Sequence, residues 1–324
     1  MKTILIAGGA GFIGSNLCEY LLGENNKVIC LDNLYTGNLT NIRHLLNKKN
    51  FLYIQHDVIN KIDIKQNIDE IYNLACPASP EKYQKNPVYT AEVNFKGTLN
   101  LLKLAREKQA KFLLTSTSEI YGEPLISPQK ESYKGNVNTI GIRSCYDEGK
   151  RLAETLTMDY HRMYNIDTKI ARIFNTYGEN MDKNDGRVVT NFIKQMLINE
   201  EITIYGDGNQ TRSFCYISDQ IDGLTKLMNS SYNNPVNIGN TREITINKLV
   251  VILYKLIPNT KSKIVNKLLP SDDPTNRCPD ITIAKKILNW EPKVELEEGL
   301  KKTIRYMQNN IYIEQFIRIN NINY

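Results

Sequence analysis

The sequence lacks the features that mark several common classes of protein. Its six cysteines lie far apart without a Cys-x-x-Cys pair, so we expect neither a metal site nor a disulfide framework. No apolar run is long enough for a transmembrane helix, which argues against a membrane partner and, with the unpaired cysteines, for a cytoplasmic protein. Internal repeats and low-complexity blocks are also missing.

The sequence also lacks a strong excess of charge of one sign. Its 324 residues include 41 Lys and Arg against 35 Asp and Glu, a net charge of +6, and no basic run is interleaved with aromatics. We therefore expect no nucleic-acid partner, whereas a small anionic ligand would account for the modest excess. With 41% hydrophobic and 23% charged residues, the composition is that of a soluble globular protein with a substantial core.

The first half of the chain alternates short β-rich runs with longer amphipathic stretches. The runs are KTILIA (2–7), KVICLD (27–32), FLYIQ (51–55), EIYNLA (70–75) and KFLLTST (111–117). Continuous apolar strands separated by helical stretches are typical of a parallel sheet covered on both faces. The sequence therefore predicts an α/β protein with a doubly wound, Rossmann-type sheet, and ligands at the carboxyl ends of its strands.

From about residue 176 the rhythm changes to shorter elements separated by turn clusters, which predicts a smaller C-terminal substrate-binding lobe. We divide the chain into a main domain over 1–175 and mainly the lobe over 176–324. Residues of about 215–240 are expected to return to the main domain, because VNIG (236–239) is strand-like. The tail from residue 309 is either a closing helix or a frayed end.

A glycine-rich turn follows the first predicted strand. Gly8, Gly11 and Gly14 lie in AGGAGFIG and open a helix, where backbone amides can approach a pyrophosphate. Asp32 ends the second strand, and a carboxylate there accepts hydrogen bonds from the adenosine ribose and repels a 2′-phosphate. The sequence therefore predicts an NAD site rather than an NADP site.

A tyrosine and a lysine stand four residues apart on a predicted helix. Tyr146 and Lys150 in SCYDEGK share one helix face, and a cation near the phenol, with the positive charge of nicotinamide, is expected to lower the tyrosine pKa. Tyr146 can then act as a base, Lys150 can bind the nicotinamide ribose, and Thr117 at the end of the fifth strand can share the proton. This trio suits hydride transfer from a secondary alcohol.

With these features, the sequence resembles the extended short-chain dehydrogenase/reductase superfamily, and more narrowly the UDP-glucuronate decarboxylases, also called UDP-xylose synthases. The likeness runs from residue 3 to about 305. It is carried by GGAGFIGSNL, LDNLYTG, ACPASP, LTSTSEIYG, SCYDEGKRLAETL, ARIFNTYG, DGRVVTNFI, YGDGNQTRSFCYISD and DDPTNRCPDI. The sequence departs little from the family pattern. Ala7 stands where the family often has Thr, and Ile142 stands at a position that varies in the family.

The resemblance implies a reaction. UDP-glucuronate would be oxidised at C4, would lose CO2 as a 4-keto acid, and would be reduced again by the same NAD to give UDP-xylose. The related 4,6-dehydratases have an Asp-Glu pair where this chain has Ser118 and Glu119, so no acid is available to expel a 6-hydroxyl. Glu119 would position the sugar acid and help to place the new proton at C5, and Arg277 would orient the ring and support the enolate.

The resemblance also assigns binding residues, homodimerisation and tightly held NAD, and it makes 1–175 the NAD-binding domain. The expected NAD contacts are Gly8, Gly11, Phe12, Ile13, Gly14, Asp32, Asn33, Tyr35, Thr36, Gly37, Asp57, Val58, Leu74, Ala75, Cys76, Thr115, Tyr146, Lys150 and Thr176. The expected UDP-sugar contacts are Pro77, Ala78, Ser79, Asn175, Arg187, Val188, Tyr205, Gln210, Arg212 and Arg277. Asn175 would end the sixth strand, and Arg187 and Val188 would open the next helix.

Without the resemblance, several of these residues have simpler interpretations. The NLYTG and HDV segments are consistent with plain loops, Asn175 with a turn, Glu119 with a helix cap and Arg277 with a surface ion pair. The apolar stripes of the helices near 90–108 and 143–164 fit either a dimer contact or core packing. The alternative functions are another NAD-dependent UDP-sugar enzyme, a 4-epimerase or 4,6-dehydratase, and a non-catalytic dinucleotide-binding regulator.

Overall fold

A computed structural model describes residues 1–268 and 276–319 of the chain. Four residues of the DDPTNRCPDI motif, 272–275, and the last five residues of the predicted tail therefore lie outside the described residues.

The strands are β1 (Thr3–Ala7), β2 (Lys27–Asp32), β3 (Phe51–Gln55), β4 (Glu70–Asn73), β5 (Lys111–Thr117), β6 (Thr168–Ile173), β7 (Thr176–Tyr177), β8 (Ile202–Tyr205), β9 (Thr211–Ser213), β10 (Cys215–Tyr216), β11 (Val236–Ile238), β12 (Glu243–Thr245), β13 (Ile264–Lys267) and β14 (Asn276–Arg277).

Helices lie between several of these strands and after the last one. They are α1 (Phe12–Gly23), α2 (Pro80–Tyr83), α3 (Pro87–Glu92), α4 (Thr98–Lys108), α5 (Ser144–Tyr164), α6 (Val188–Leu197), α7 (Ile217–Asn229), α8 (Ile246–Leu256), α9 (Thr282–Leu288) and α10 (Leu296–Ile319). A π-helical turn, Val93–Gly97, joins α3 to α4, and 3-10 turns occupy Leu39–Asn41, Arg43–Leu45 and Ser118–Tyr121. The tail as far as residue 319 is therefore a closing helix.

Seven parallel strands form the main sheet in the order β11-β6-β5-β4-β1-β2-β3. Alternate residues of β1 enter different cores: Ile4 and Ile6 pack with α1 and α7 on one face, while Leu5 and Ala7 pack with α4 and α5 on the other. Because both faces are covered, β1, β2 and β5 are buried along nearly their whole length, as their apolar runs in the sequence indicate. The predicted Rossmann-type sheet is confirmed.

The second half of the chain builds smaller sheets around this main sheet. β7 pairs with β10, β9 lies between β12 and β14, and β8 pairs with β13. β11 leaves this region and pairs with β6 at the edge of the main sheet, where Val236 lies opposite Ala171. The chain therefore crosses back to the main sheet at the predicted segment, while the domain boundaries themselves stay a prediction.

Trp290 anchors the segment after α9 to α7. It is the single tryptophan of the chain and is 1% exposed. Its indole N–H donates to the backbone carbonyl of Asp219 at 3.1 Å, and the Asp219 carboxylate accepts from the backbone amides of Lys293 and Val294 at 3.0 and 2.9 Å. This packing fixes the chain between α9 and α10 against the edge of the main sheet.

We expect Trp290→Ala to lower the free energy of unfolding by about 3–5 kcal/mol, because it leaves a cavity and an unpaired buried carbonyl. Trp290→Phe retains most of the apolar area but loses the hydrogen bond, so we expect a loss of about 1–3 kcal/mol. Urea denaturation followed by circular dichroism measures both. An alanine variant within about 1 kcal/mol of the parent would contradict this account.

Candidate active site

The glycine turn lies where the sequence places it, between β1 and α1. Gly8 has a φ of +79°, a left-handed conformation that favours glycine, and its amide donates to the Leu31 carbonyl at 2.8 Å. A Cβ at Gly14 would stand 2.1 Å from the Gly8 carbonyl oxygen. The turn can therefore adopt this tight conformation only with glycine at these two positions. The backbone amides at the start of α1 remain open to an anionic group.

Asp32 is held beside this turn. Its carboxylate accepts hydrogen bonds from the backbone amides of Ala10 at 3.0 Å and Leu34 at 2.7 Å, and a Cβ on Gly37 would lie 2.7 Å from it. Burial raises the pKa of Asp32, which the two amides partly offset. The glycine turn and this carboxylate fit the adenosine and pyrophosphate of a dinucleotide.

One cavity of about 1430 Å³ runs along the carboxyl ends of the main-sheet strands and under the smaller sheets. All predicted cofactor, substrate and catalytic residues except Asp57 line it. Asp57 instead accepts hydrogen bonds from the side chains of Asn33 at 2.9 Å and Tyr89 at 2.7 Å. Asp57 therefore holds Asn33, which does line the cavity, and does not itself face it.

Tyr146 and Lys150 lie one turn apart near the start of α5 and are both buried. The Lys150 ammonium donates to the Thr115 carbonyl at 2.9 Å and lies 5.8 Å from the centre of the Tyr146 ring. The Thr117 hydroxyl, at the end of β5, hydrogen-bonds Tyr146. The helix thus brings the three predicted residues together at one point of the cavity wall.

The sequence analysis expected a lowered pKa for Tyr146 from a nearby cation and the charge of nicotinamide. The groups of the protein itself act in the opposite direction. Burial raises the pKa of Tyr146 above its usual value, and the hydrogen bond from Thr117 and the charge of Arg187 lower it only in part. Burial also lowers the pKa of Lys150. Desolvation outweighs the neighbouring charges because both groups are enclosed by the sheet, α5 and the loop after β4.

A second tyrosine, which the sequence analysis missed, lies against the first. The rings of Tyr83 and Tyr146 stack with centroids 4.9 Å apart and an interplanar angle of 4°. Tyr83 ends α2 and lines the cavity, and its buried hydroxyl has no hydrogen-bond partner among the described residues. No local motif marks Tyr83, because the contact depends on how the loop after β4 folds over α5.

Glu119 lies in the 3-10 turn that follows β5 and is held by two arginines. Arg143 and Arg277 both bond its Oε2, the latter at 3.1 Å, and the Ser118 hydroxyl lies 3.4 Å from its Oε1. Burial alone would raise the pKa of Glu119, but Arg277 and Arg143 lower it to about 2. The carboxylate is therefore charged throughout the neutral range.

The simpler interpretations of Glu119 and Arg277 fail. The Thr117 hydroxyl, rather than Glu119, caps the turn by accepting from the Glu119 amide at 3.3 Å. Arg277 is 2% exposed and donates to the Gly122 carbonyl at 2.7 Å, so it is not a surface residue. Arg143, which precedes α5, is a further member of this cluster that the sequence analysis missed. Its position three residues before Tyr146 was the available signal.

The predicted UDP-sugar contacts line the same cavity. β6 ends at Ile173 rather than at Asn175, so Asn175 lies in the link to β7, with its side-chain nitrogen buried and without a partner among the described residues. Arg187 caps the start of α6 as expected and pairs with Asp185 at 2.8 Å. Gln210 donates to the Tyr205 carbonyl at 2.8 Å.

Neither a metal centre nor a membrane-spanning helix is found in residues 1–268 and 276–319. That part of the chain contains no group of His, Cys, Asp and Glu side chains suited to a metal ion. Its helices are all too short or too polar to cross a membrane. All six cysteines are free thiols.

Sequence comparison supports the narrower resemblance. The chain is 51% identical to UDP-glucuronic acid decarboxylase 4 of Arabidopsis thaliana, over 96% of this chain and 70% of that protein. It is 49% identical to UDP-glucuronic acid decarboxylase 1 of Danio rerio, over 96% of this chain and 73% of that protein. The predicted similarity to UDP-glucuronate decarboxylases is confirmed.

Solved structures with the same architecture bind nucleotide sugars. The UDP-glucose 4-epimerase of Thermotoga maritima, with UDP-glucose, has a TM-score of 0.88 and 31% identity over 95% of this chain and 99% of that chain. The UDP-glucuronic acid 4-epimerase of Bacillus cereus, in complex with UDP-glucuronic acid and NAD, has a TM-score of 0.84 and 29% identity with the same coverage.

The family model described as GDP-mannose 4,6 dehydratase matches residues 5–303, which include the glycine turn, the Tyr146 and Lys150 pair and the Glu119 cluster. The extent of this match agrees with the fold, since it takes in all of the smaller sheets and the main sheet except the first two residues of β1. The chain therefore belongs to the GDP-mannose 4,6 dehydratase family of extended short-chain dehydrogenases/reductases.

Proposed function

We propose that the protein is an NAD-dependent UDP-glucuronate decarboxylase, which converts UDP-glucuronate to UDP-xylose and CO2. The observation that carries the proposal is the Glu119 cluster beside Tyr146: a charged carboxylate held by Arg277 and Arg143, with Ser118 where a dehydratase needs an acid. The roughly 50% identity to proteins named UDP-glucuronic acid decarboxylases supports the same activity.

NAD binding is supported by the glycine turn and Asp32, which fit its pyrophosphate and adenosine ribose. Bound NAD supplies a two-electron acceptor for the oxidation at C4 and the donor for the later reduction. Phe12 and Ile13 would cover the pyrophosphate, while Asn33, Tyr35 and Thr36 would enclose the adenosine. Leu74 to Cys76, Thr115 and Thr176 would border the nicotinamide half, near Tyr146.

Tyr146 would accept the proton of the sugar 4-hydroxyl and return one during the final reduction. Because burial raises the pKa of this phenol, its anion needs positive charge close by. The Lys150 ammonium supplies one such charge, and NAD, when bound in its oxidised form, would supply another. The Thr117 hydroxyl bonds Tyr146 and can share the moving proton.

Loss of CO2 follows from the chemistry of the oxidised sugar. A ketone at C4 makes the C6 carboxylate part of a β-keto acid, so the C5–C6 bond breaks and its electrons delocalise into the ketone. Arg277 would stabilise the resulting enolate, and a proton from water would then be added at C5. Glu119 carries no proton at neutral pH, so its role would be to orient the sugar acid and that water.

The UDP group would lie across the mouth of the cavity. Arg187, Arg212 and the start of α6 offer cationic and amide groups to the diphosphate. Tyr205 and Gln210 would contact the uridine, and Asn175 offers a buried amide without a partner among the described residues. Pro77, Ala78 and Ser79 would form the wall beside the sugar.

We also propose a homodimer and a cytoplasmic location. The outer faces of α3, the π-helical turn and α5 expose Val88, Phe95, Leu152 and Met163, although α3, α4 and α5 already pack on one another. An exposed apolar surface on these helices supports pairing with a second copy. The six free thiols support a reducing compartment.

Product analysis tests the proposed function. NAD-loaded protein is incubated separately with UDP-glucuronate and UDP-glucose, and the products are identified by mass spectrometry. Release of CO2 with formation of UDP-xylose from UDP-glucuronate is the expected result. UDP-galacturonate would indicate a 4-epimerase, a 4-keto-6-deoxy sugar from UDP-glucose a dehydratase, and no product from either substrate a non-catalytic binding protein.

Glu119→Gln is expected to slow CO2 release from UDP-glucuronate by roughly 100-fold, because a neutral amide leaves two buried guanidinium groups without their anion and no longer fixes the sugar acid. The assay measures kcat for labelled CO2 with saturating substrate. Glu123→Gln, which alters an exposed carboxylate four residues further on, serves as the control and is expected to match the parent. A Glu119→Gln rate within a few-fold of the parent would contradict the role.

Gly14→Ala is expected to weaken NAD binding at least about tenfold, because its Cβ would lie 2.1 Å from the Gly8 carbonyl oxygen and force the turn open. Gly23→Ala is the matched control, since it lies in the same helix and its Cβ would meet no atom within 4 Å. Calorimetric titration of NAD into cofactor-stripped protein gives the dissociation constants. Equal affinity in the two variants would rule out a close fit at this turn.

A further inference from the structure

Asp147 directly follows Tyr146 in α5 and belongs to none of the roles described so far. It is 7% exposed, and its Oδ2 lies 4.0 Å from the Arg143 guanidinium nitrogen Nε one turn earlier. Its Oδ1 is buried and has no hydrogen-bond partner among the described residues. A buried carboxylate with only one weakly engaged oxygen is poorly stabilised in its charged form.

Asp147 is electrostatically coupled to the Glu119 cluster through Arg143. The Arg143 Nη2 atom bonds the Glu119 carboxylate, and the Arg143 Nε atom lies 4.0 Å from the Asp147 carboxylate. Arg277 holds the same Glu119 oxygen from β14. The four side chains therefore form a row, in the order Asp147, Arg143, Glu119, Arg277, that leads from α5 to the candidate sugar site.

Several groups set the protonation of Asp147. Burial raises its pKa first, Glu119 and Glu148 raise it further, and Arg143 and Arg277 lower it, which leaves it at about 7. Tyr83 of α2 and Cys145 of α5 also face this carboxyl group, and their own pKa values are raised. Asp147 is thus the member of the row whose charge changes near neutral pH.

We propose that Asp147 is a positioning residue that sets the net charge of the cluster of Glu119, Arg143 and Arg277, and through it the affinity of the site for a sugar carboxylate. This inference rests on the proposed function, because it requires a sugar acid beside Glu119. With Asp147 neutral, the row carries one net positive charge, which complements an anionic C6 group. With Asp147 charged, the net charge of the row is zero, and Arg143 interacts with the carboxylates of both Asp147 and Glu119.

The direction of the pH effect follows from this count. Asp147 is neutral at acidic pH and becomes charged as the pH rises through about 7, so affinity for UDP-glucuronate falls towards alkaline pH. UDP-glucose presents the same uridine and diphosphate without the C6 carboxylate, so its affinity is expected to stay constant. If Asp147 had a purely structural role, its titration would change the affinity for both ligands alike.

The experiment measures binding rather than turnover. NAD-loaded protein with Tyr146→Phe, which removes the base and prevents reaction, is titrated calorimetrically with UDP-glucuronate and with UDP-glucose at about pH 6 and about pH 8.5. We expect the dissociation constant of UDP-glucuronate to rise about fivefold between the two pH values, and that of UDP-glucose to stay within about twofold. Adding Asp147→Asn is expected to hold UDP-glucuronate binding at its acidic-pH value at both pH values.

Glu148→Gln is the matched control, because it removes the neighbouring carboxylate of α5, which is 37% exposed and pairs with Arg151. It is expected to leave the pH effect in place. If Asp147→Asn does not fold, as judged by NAD content and thermal denaturation, Asp147→Ser removes the same charge with a smaller side chain. A pH effect that persists without the Asp147 carboxyl group, is absent from the parent, or appears equally with UDP-glucose would overturn the proposal.

The binding readout separates this inference from the proposed function. If product analysis finds no decarboxylation but UDP-glucuronate binding still depends on pH through Asp147, the proposed function fails while the charge-setting role stands. If decarboxylation occurs and the pH effect is absent or unchanged in Asp147→Asn, the role of Asp147 is wrong and the proposed function is unaffected.

Discussion

The site depends on one geometric constraint, that the strands of a parallel sheet all end at the same edge. β5, β4, β1 and β2 are neighbours in the parallel sheet, so the four segments that follow them open side by side. The glycine turn follows β1, Asp32 ends β2, Pro77 to Ser79 lie in the loop after β4, and Glu119 lies in the turn after β5. Residues separated by more than a hundred positions in the chain therefore line one cavity, and any dinucleotide and sugar that bind there must lie along the same edge.

The second constraint is the cost of burying charge. Glu119 is enclosed, and it stays ionised only because guanidinium groups arrive from two directions, Arg143 before α5 and Arg277 on β14. Removing either arginine would leave the Glu119 carboxylate with a single guanidinium partner, so the cluster requires β14 to pack against the turn that follows β5. The same ion pairs that place two guanidinium groups at the site thereby hold β14 in place.

Sequence patterns predicted the features that local rules determine and missed those that depend on packing. Apolar strands, the glycine turn and the four-residue spacing of Tyr146 and Lys150 each depend on nearby residues, and each is found where expected. Tyr83 stacks on Tyr146 because two distant segments meet, which no spacing reveals. The protein's own groups raise the pKa of Tyr146 for a related reason: burial depends on the whole fold, whereas the adjacent lysine was visible in the sequence.

Two carboxyl groups near Tyr146 show how the fold gives the same functional group different chemistry. Glu119 faces two arginines and has a pKa of about 2, whereas Asp147, among the described residues, has one long contact with Arg143, an oxygen without a hydrogen-bond partner and a pKa of about 7. Pairs of acids whose environments separate their pKa values in this way can hold different roles at one pH. Glu119 is therefore a fixed anion that organises the site, while Asp147 is free to change its charge without disturbing the ion pair between Glu119 and Arg277. Both carboxylates contact Arg143. A change in the protonation of Asp147 therefore affects the candidate sugar site through this arginine.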